Sequence, residues 1–150
     1  MPRITTALRS WTGTLVATHP DPDAILALRP EGTVVKPFIP VATALEVADL
    51  MIGNGGTATV LAALTAGKPY LALYTNLDQA LSNEQYATTG AVSGGLSLSM
   101  SPAKIRKRID QALNSADMVA SAQKCRDEFG ALGEDEWTVR QLKHIYASLS

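Results

Sequence analysis

"ADLMIGNGGTATVLAALTAGKPYLALYTNLDQ", residues 48–79, decides the fold class of this chain. It holds an apolar run, an Asn-Gly-Gly turn, an alanine-rich helical pattern and a second apolar run, in that order. Glycines at the end of a strand let the backbone turn tightly or let a ligand come close. A strand, a helix and a strand joined by short loops are typical of a parallel sheet covered by helices.

The same alternation continues on both sides of this stretch. The apolar runs predict strands over residues 14–18, 32–39, 49–53, 70–75 and 91–99. The helical patterns lie over residues 41–48, 57–67, 78–90, 101–115, 117–130 and 134–149, and residues 21–30 form a turn with one helical turn. The predicted fold is α/β, a Rossmann-like open parallel sheet with helices on both faces, C-terminal helices and a single domain over residues 1–150.

The first element of the chain does not fit a complete doubly wound domain. Such a domain normally begins with a central strand, whereas residues 5–11 have a helix-like pattern before the strand at 14–18. The first strand is therefore predicted to be missing or supplied from elsewhere. This prediction also makes self-association plausible, through an exposed sheet edge or apolar face.

Composition narrows the class of protein. Apolar residues make up 46% and charged residues 18% of the 150 residues, as in a globular domain. The net charge of −1 argues against nucleic-acid binding. A single cysteine, Cys125, excludes an internal disulfide and is interpreted as a small helix residue. The sequence has neither a signal-peptide pattern nor an uninterrupted apolar span, so a cytoplasmic protein is expected.

The Asn-Gly-Gly turn is a candidate phosphate site. It precedes a helix N-terminus, whose unpaired N–H groups and partial positive charge favour an anion. Asn54, Thr57 and Thr59 add polar side chains to the glycines at 55 and 56. A plain strand-to-helix turn, capped by Asn or Thr, is the alternative.

A second candidate segment, "TNLDQ" at residues 75–79, follows the next strand and should reach the same sheet edge. The adjacent carboxylate and amide of Asp78 and Gln79 form a fork suited to the vicinal hydroxyls of a sugar. The alternative is that both are ordinary first-turn helix residues, where negative charge is favourable.

Together these segments resemble the C-terminal, donor-binding domain of GT-B glycosyltransferases, which use nucleotide sugars. "VVKPFIPVATALEVADL" (34–50) is similar to the family segment that holds the base, and "SPAKIRKRIDQAL" (101–113) to the helix after the last strand. The resemblance implies the following roles: Phe38, Ile39 and Val41 at the base, Asn54, Gly55, Gly56, Thr57 and Thr59 at the diphosphate, and Asp78 and Gln79 at the sugar. It runs from about Thr14 to about Leu113.

The resemblance also implies a ligand for this chain and a second domain or subunit with a role of its own. The expected ligand is a nucleoside-diphosphate sugar, with UDP or dTDP favoured, and no metal or other cofactor is implied. The acceptor would lie on a separate N-terminal domain or subunit, which would also supply the general base, so no catalytic residue is assigned here. The chain would then be an excised fragment, one subunit of a split transferase, or a degenerate, non-catalytic domain kept for nucleotide binding or assembly.

Four positions depart from the family pattern. Asn54 stands where the family usually has His, and Ala62 where a Glu commonly binds ribose. Tyr74 replaces a Pro, and Ser82 replaces an Asn, with Asn83 one step late. These changes imply weaker phosphate and sugar contacts or a different donor, and those at Asn54 and Ala62 favour the degenerate alternative.

Other patterns carry less weight. "GNGGTA" also fits the dinucleotide fingerprint through Gly53, Gly55 and Ala58, but no acidic residue closes the next strand. His19 and His144 lack metal-ligand spacing. "KIRKR" (104–108) is interpreted as a solvated helix face, with contact to an anionic membrane surface as the alternative. An apolar stripe in the last helical pattern is expected to pack on this domain or a missing one: Trp137, Leu142, Ile145 and Leu149.

Overall fold

The computed structural model describes residues 2–28, 31–74, 76–96 and 100–131. The strands are β1 (Leu15–Thr18), β2 (Thr33–Lys36), β3 (Met51–Gly53), β4 (Tyr70–Leu73) and β5 (Val92–Leu96). The helices are α1 (Pro2–Ala7), α2 (Pro22–Leu26), α3 (Val41–Val47), α4 (Thr57–Thr65), α5 (Leu77–Ala87) and α6 (Pro102–Leu113), and residues 116–131 form α7. The predicted helix at 134–149 and its apolar stripe lie outside the described residues.

All the described strand pairs are parallel, as predicted, but they form two sheets. β1 pairs with β2 in one sheet, and β3, β4 and β5 pair in that order in the other. The short loops that precede α4 and α5 follow the carboxyl ends of β3 and β4. The two candidate segments therefore lie at the same edge of the three-stranded sheet.

Helices cover both faces of the three-stranded sheet, which confirms the predicted α/β fold class. Successive strand residues point to opposite faces, so Tyr70 and Ala72 of β4 pack in one core cluster while Leu71 and Leu73 pack in the other. The first cluster is built on residues of α3, α4 and α7, and the second on residues of α1 and α6.

Local signals explain where several elements begin and end. Pro37 follows β2 directly and shortens the predicted strand from 32–39 to Thr33–Lys36, because proline has no N–H for a sheet ladder. Ser101 caps α6, whose first residue is Pro102. Gly67, at φ 69°, follows the C-terminus of α4 in a conformation that favours glycine.

An open slot separates the two sheets. We call "the slot" the cavity of about 640 Å³ that residues of both β1 and β3 line. Its lining is mainly apolar and comes from both helical layers: Ile4 of α1, Leu8 just after α1 and Ile109 of α6 from one side, Ala44 and Leu45 of α3 from the other. The slot therefore passes between the strand edges.

The part of the chain that the structure describes contains no helix long and apolar enough to cross a membrane. Within that part there is also no cluster of three or more His, Cys, Asp or Glu side chains that could hold a metal ion.

Candidate functional site

The turn between β3 and α4 depends on Gly55. Its φ is 79°, in the left-handed region that side chains other than glycine rarely adopt. A Cβ atom at this position would also collide with the side-chain amide of Asn83. Both the conformation and the close approach require glycine here, so the Gly-Gly pattern has a structural reason independent of any ligand.

A buried hydrogen bond holds this turn to β4. The backbone N–H of Gly55 donates to the hydroxyl of Tyr70 over 3.0 Å, and Tyr70 is fully buried. That hydroxyl lies 3.3 Å from the Thr59 hydroxyl, which in turn donates to the carbonyl of Gly56 over 2.8 Å. These hydrogen bonds link the Asn-Gly-Gly turn, β4 behind it and the first helical turn of α4. The turn is therefore fixed before any ligand arrives.

The other N–H groups of the turn differ in whether they have a hydrogen-bond partner. Asn54 accepts the N–H of Gly56 through its side-chain oxygen over 3.1 Å. The N–H groups of Thr57 and Ala58, at the start of α4, have no recorded partner among the described residues. Gly56 is the N-cap of α4 and contributes no side chain. Two backbone donors at a helix N-terminus are thus available to an anion.

The second candidate segment begins α5. Asn76 caps this helix by accepting the N–H of Gln79 over 2.9 Å. Asp78 lies in the first turn, where its charge is favourable, and is exposed, while Gln79 is half-buried. The cap fixes the direction of the first turn and leaves the carboxylate of Asp78 open to solvent.

Asn83 joins the two segments. It lies on α5, is only 2% exposed, and donates from Nδ2 to the carbonyl of Gln79 over 2.6 Å. The same amide packs directly against Gly55 of the turn. Its Oδ1 is buried and has no hydrogen-bond partner in the described structure. The predicted diphosphate and sugar segments are therefore neighbours in space, in contact through this side chain.

The predicted base-binding residues divide between two environments. Phe38, after β2, is 76% exposed and presents its ring to solvent. Ile39 and Val41 line the slot. An exposed aromatic ring is available for stacking, and the roles of all three residues at a base stay predictions.

Two residues that contribute to this site were not assigned roles in the sequence. The sequence places Tyr70 only in a predicted strand, and Asn83 only one step beyond a family position. A tyrosine in a buried apolar strand is a usable signal, because its hydroxyl must find a partner there. The partner itself, a backbone N–H fifteen residues away, cannot be recognised without the fold.

Comparison with solved structures supports the fold. Glycosyltransferase VinC in complex with dTDP superposes with a TM-score of 0.77 at 20% identity, covering 96% of this chain and 37% of that one. The spinosyn rhamnosyltransferase SpnG complexed with thymidine diphosphate gives 0.77 at 23% identity, covering 95% and 39%. The calicheamicin glycosyltransferase CalG4 gives 0.78 at 19% identity, covering 99% and 40%.

These similarities confirm, at the level of the fold, the predicted resemblance to GT-B glycosyltransferases. The chain spans about two fifths of the length of the enzymes it matches. No family model matches the sequence, and no curated protein matches it either.

Proposed function

We propose that this chain is the donor half of a glycosyltransferase, binding a nucleoside-diphosphate sugar for transfer to an acceptor on a separate domain or subunit. One observation carries the proposal. A turn fixed by the buried hydrogen bond from Gly55 to Tyr70 leaves the N–H groups of Thr57 and Ala58, at the N-terminus of α4, without recorded partners among the described residues, and α5 with Asp78 and Gln79 begins beside it. The fold is that of glycosyltransferases solved with dTDP, which adds support.

The diphosphate would lie at the start of α4. Its negative charge matches the partial positive charge of the helix N-terminus, and the two backbone donors match its oxygens. Thr57 is exposed beside them, and its hydroxyl would add a third donor. Asp78 and Gln79 would accept and donate hydrogen bonds to the sugar hydroxyls from the neighbouring helix.

Of the possible nucleotides we favour dTDP, with UDP second. Two similar structures, VinC and SpnG, contain thymidine diphosphate. The ring of Phe38 is exposed after the carboxyl end of β2 and could stack on a pyrimidine.

The chemistry proposed for this half is stabilisation of the leaving group. When the bond from the sugar to the diphosphate breaks, negative charge grows on the diphosphate. Fixed N–H donors aimed at that charge lower the barrier because they need no reorganisation during the reaction. The general base would belong to the acceptor half, so we expect this chain alone to bind donor nucleotide and to turn over little or none.

The test is a titration of the chain with dTDP, UDP and GDP, followed by amide NMR shifts. We expect the largest shifts at Gly56, Thr57 and Ala58, with dTDP preferred. Shifts scattered away from these amides, or no shift in a folded sample, would contradict donor binding at this turn. The second result would favour the alternative of a degenerate domain kept for assembly.

A variant with an added negative charge tests whether the diphosphate lies at the start of α4. Thr57→Asp places a carboxylate where the diphosphate should lie, while an acidic residue at a helix N-terminus does not destabilise the helix. We expect a loss of dTDP affinity of about tenfold or more, from charge repulsion at unchanged thermal stability. Thr57→Ser, which keeps the hydroxyl, is the matched control and should bind as the wild type does.

A further inference from the structure

The side-chain hydroxyl of Thr59 already uses its proton inside the turn. A hydroxyl has one proton to donate and two lone pairs that accept. Thr59 donates its proton to the carbonyl of Gly56 over 2.8 Å. An ionised diphosphate oxygen accepts hydrogen bonds and has no proton to give. Thr59 can therefore bind such an oxygen only by giving up its bond to Gly56.

The hydroxyl of Tyr70 is arranged in the same way. Its oxygen accepts the N–H of Gly55 over 3.0 Å and lies 3.3 Å from the Thr59 hydroxyl. Because the proton of Thr59 is directed to Gly56, Tyr70 is the donor in this second contact. Each hydroxyl donates once, so a directed chain of hydrogen bonds runs from the N–H of Gly55 to the carbonyl of Gly56.

The carbonyl of Gly56, at the end of this chain, accepts three hydrogen bonds. They come from the hydroxyl of Thr59 and from the N–H groups of Thr59 and Val60, over 2.8, 3.0 and 3.1 Å. The same peptide group carries the N–H of Thr57, which has no recorded partner among the described residues. Donors at a carbonyl polarise the peptide group and make its N–H a stronger donor. The hydroxyl of Thr59 therefore acts on the N–H of Thr57 through this shared peptide group.

We propose that Thr59 is a positioning residue for the diphosphate and not a contact to it. It holds and polarises the peptide group between Gly56 and Thr57, and the N–H of Thr57 makes the hydrogen bond to the ligand. This inference rests on the proposed function, which supplies the ligand. It revises the role that the family resemblance implies for Thr59 and leaves direct contact to Thr57. The burial of the two residues agrees, since Thr57 is exposed and Thr59 is half-buried.

Such an arrangement favours binding because the donor is ordered before the ligand arrives. The three hydrogen bonds at the carbonyl of Gly56 fix the plane of the peptide group, and with it the direction of the Thr57 N–H. Without the hydroxyl of Thr59, this carbonyl keeps only its two backbone donors, and the proton of Tyr70 loses its recorded acceptor. Loss of the hydroxyl should therefore weaken binding without abolishing it.

The experiment compares amide NMR spectra of the whole chain in the wild type and two variants, first without ligand and then with dTDP. Thr59→Val removes the hydroxyl, and Thr59→Ser keeps it. In ligand-free Thr59→Val we expect the amide proton of Thr57 to move to lower chemical shift, because its peptide group is less polarised. We expect dTDP to bind this variant about three- to tenfold more weakly, the effect of one lost hydrogen bond. Thr59→Ser should match the wild type in both measurements.

Thr65 supplies a matched control at the other end of α4. Its hydroxyl also donates to helix carbonyls, those of Leu61 and Ala62, over 2.9 and 3.1 Å. Thr65→Val therefore removes the same kind of bond from the same helix, away from the turn. It should leave the Thr57 amide and the affinity for dTDP unchanged. Equal effects of Thr59→Val and Thr65→Val would mean that both act through the stability of the helix, and would overturn the proposal.

Other results would also overturn the proposal. An unmoved Thr57 amide in ligand-free Thr59→Val is one, and a fall in dTDP affinity with that amide unmoved would assign a direct contact to Thr59. Unchanged affinity for dTDP in Thr59→Val is another. The ligand-free comparison needs no nucleotide, whereas a wild type that binds no dTDP would contradict the proposed function itself. The two failures are therefore distinguishable.

A measurement on the wild type covers the case in which Thr59→Val does not fold. In the complex with dTDP, a scalar coupling to phosphorus through the hydrogen bond should appear at the amide of Thr57. No such coupling is expected at the hydroxyl of Thr59, whose proton is directed to Gly56. A coupling at that hydroxyl would show a direct contact and overturn the proposal.

Discussion

The buried hydroxyl of Tyr70 holds the turn of the candidate site in place. It is the acceptor for the N–H of Gly55, and it contacts Thr59 of α4. Tyr70→Phe keeps the ring and removes only this oxygen. A buried donor left without a partner costs about 1–3 kcal/mol, so we expect a loss of that size in the free energy of unfolding, measured by urea denaturation, and weaker dTDP binding.

The matched control for this variant is Tyr74→Phe. Tyr74 is half-buried, and no hydrogen bond of its hydroxyl is recorded among the described residues. Its removal should change the free energy of unfolding by less than about 0.5 kcal/mol. Equal losses in the two variants would mean that the Tyr70 hydroxyl does not hold the turn.

Cys125 gives a prediction about pH. Burial raises the pKa of its thiol from the ordinary 9.0, and the nearby carboxylate of Glu128 adds to the rise, against the opposing effects of Thr89 and Lys124. Above pH 9.0 the unfolded chain therefore loses the thiol proton before the folded chain does. The folded state then binds more protons, so stability falls as pH rises through this window.

The measurement is urea denaturation of the wild type and of Cys125→Ala at a series of pH values on either side of 9.0. Tyrosine and lysine also titrate at high pH, so the difference between the two proteins is the informative quantity. We expect the stability of the wild type to fall more steeply than that of the variant. Parallel curves would show that the thiol titrates alike in both states.

At the scale of the element, α5 carries the sugar-binding prediction, and its N-cap can be tested. Asn76→Ala removes the acceptor for the N–H of Gln79 and should cost about 1 kcal/mol of stability. Because the first turn then loosens around Asp78, affinity for a nucleotide sugar should fall as well. Calorimetric titration and thermal denaturation measure the two effects.

A cap far from the site provides the comparison. Ser101→Ala removes the N-cap of α6, which accepts the N–H of Lys104 over 3.4 Å. It should lower thermal stability without changing nucleotide affinity. If both cap variants weaken binding to the same degree, the effect of Asn76 would be one of general stability.

Most elements could be predicted because their signals are local. Pro102 after Ser101, Gly67 after an alanine-rich helix and Asn-Gly-Gly after an apolar run each fix a boundary through backbone chemistry at one or two residues. The division into two sheets could not be predicted in this way. Strand pairing depends on which edges meet in space, and the apolar run of β1 is the same whether one edge is paired or both.

The same limit applies to the candidate site. The sequence predicts the turn and the Asp78–Gln79 segment as separate features on one sheet edge. Their direct contact depends on Asn83, whose side chain packs on the bare Cα of Gly55. The contact forms only because the fold brings α5 beside the turn and because Gly55 has no Cβ atom. The glycine can be read from the sequence, but its closeness to Asn83 cannot.

At the scale of the whole molecule, the slot has a mechanical consequence. Among the described strands, no backbone hydrogen bond joins the β1–β2 pair to the three-stranded sheet. Side-chain contacts, such as that of Leu15 with the cluster around Leu71, and the connecting chain therefore resist tilting of one part against the other. We expect bending to concentrate along the slot, because no backbone hydrogen bond between described strands stiffens it.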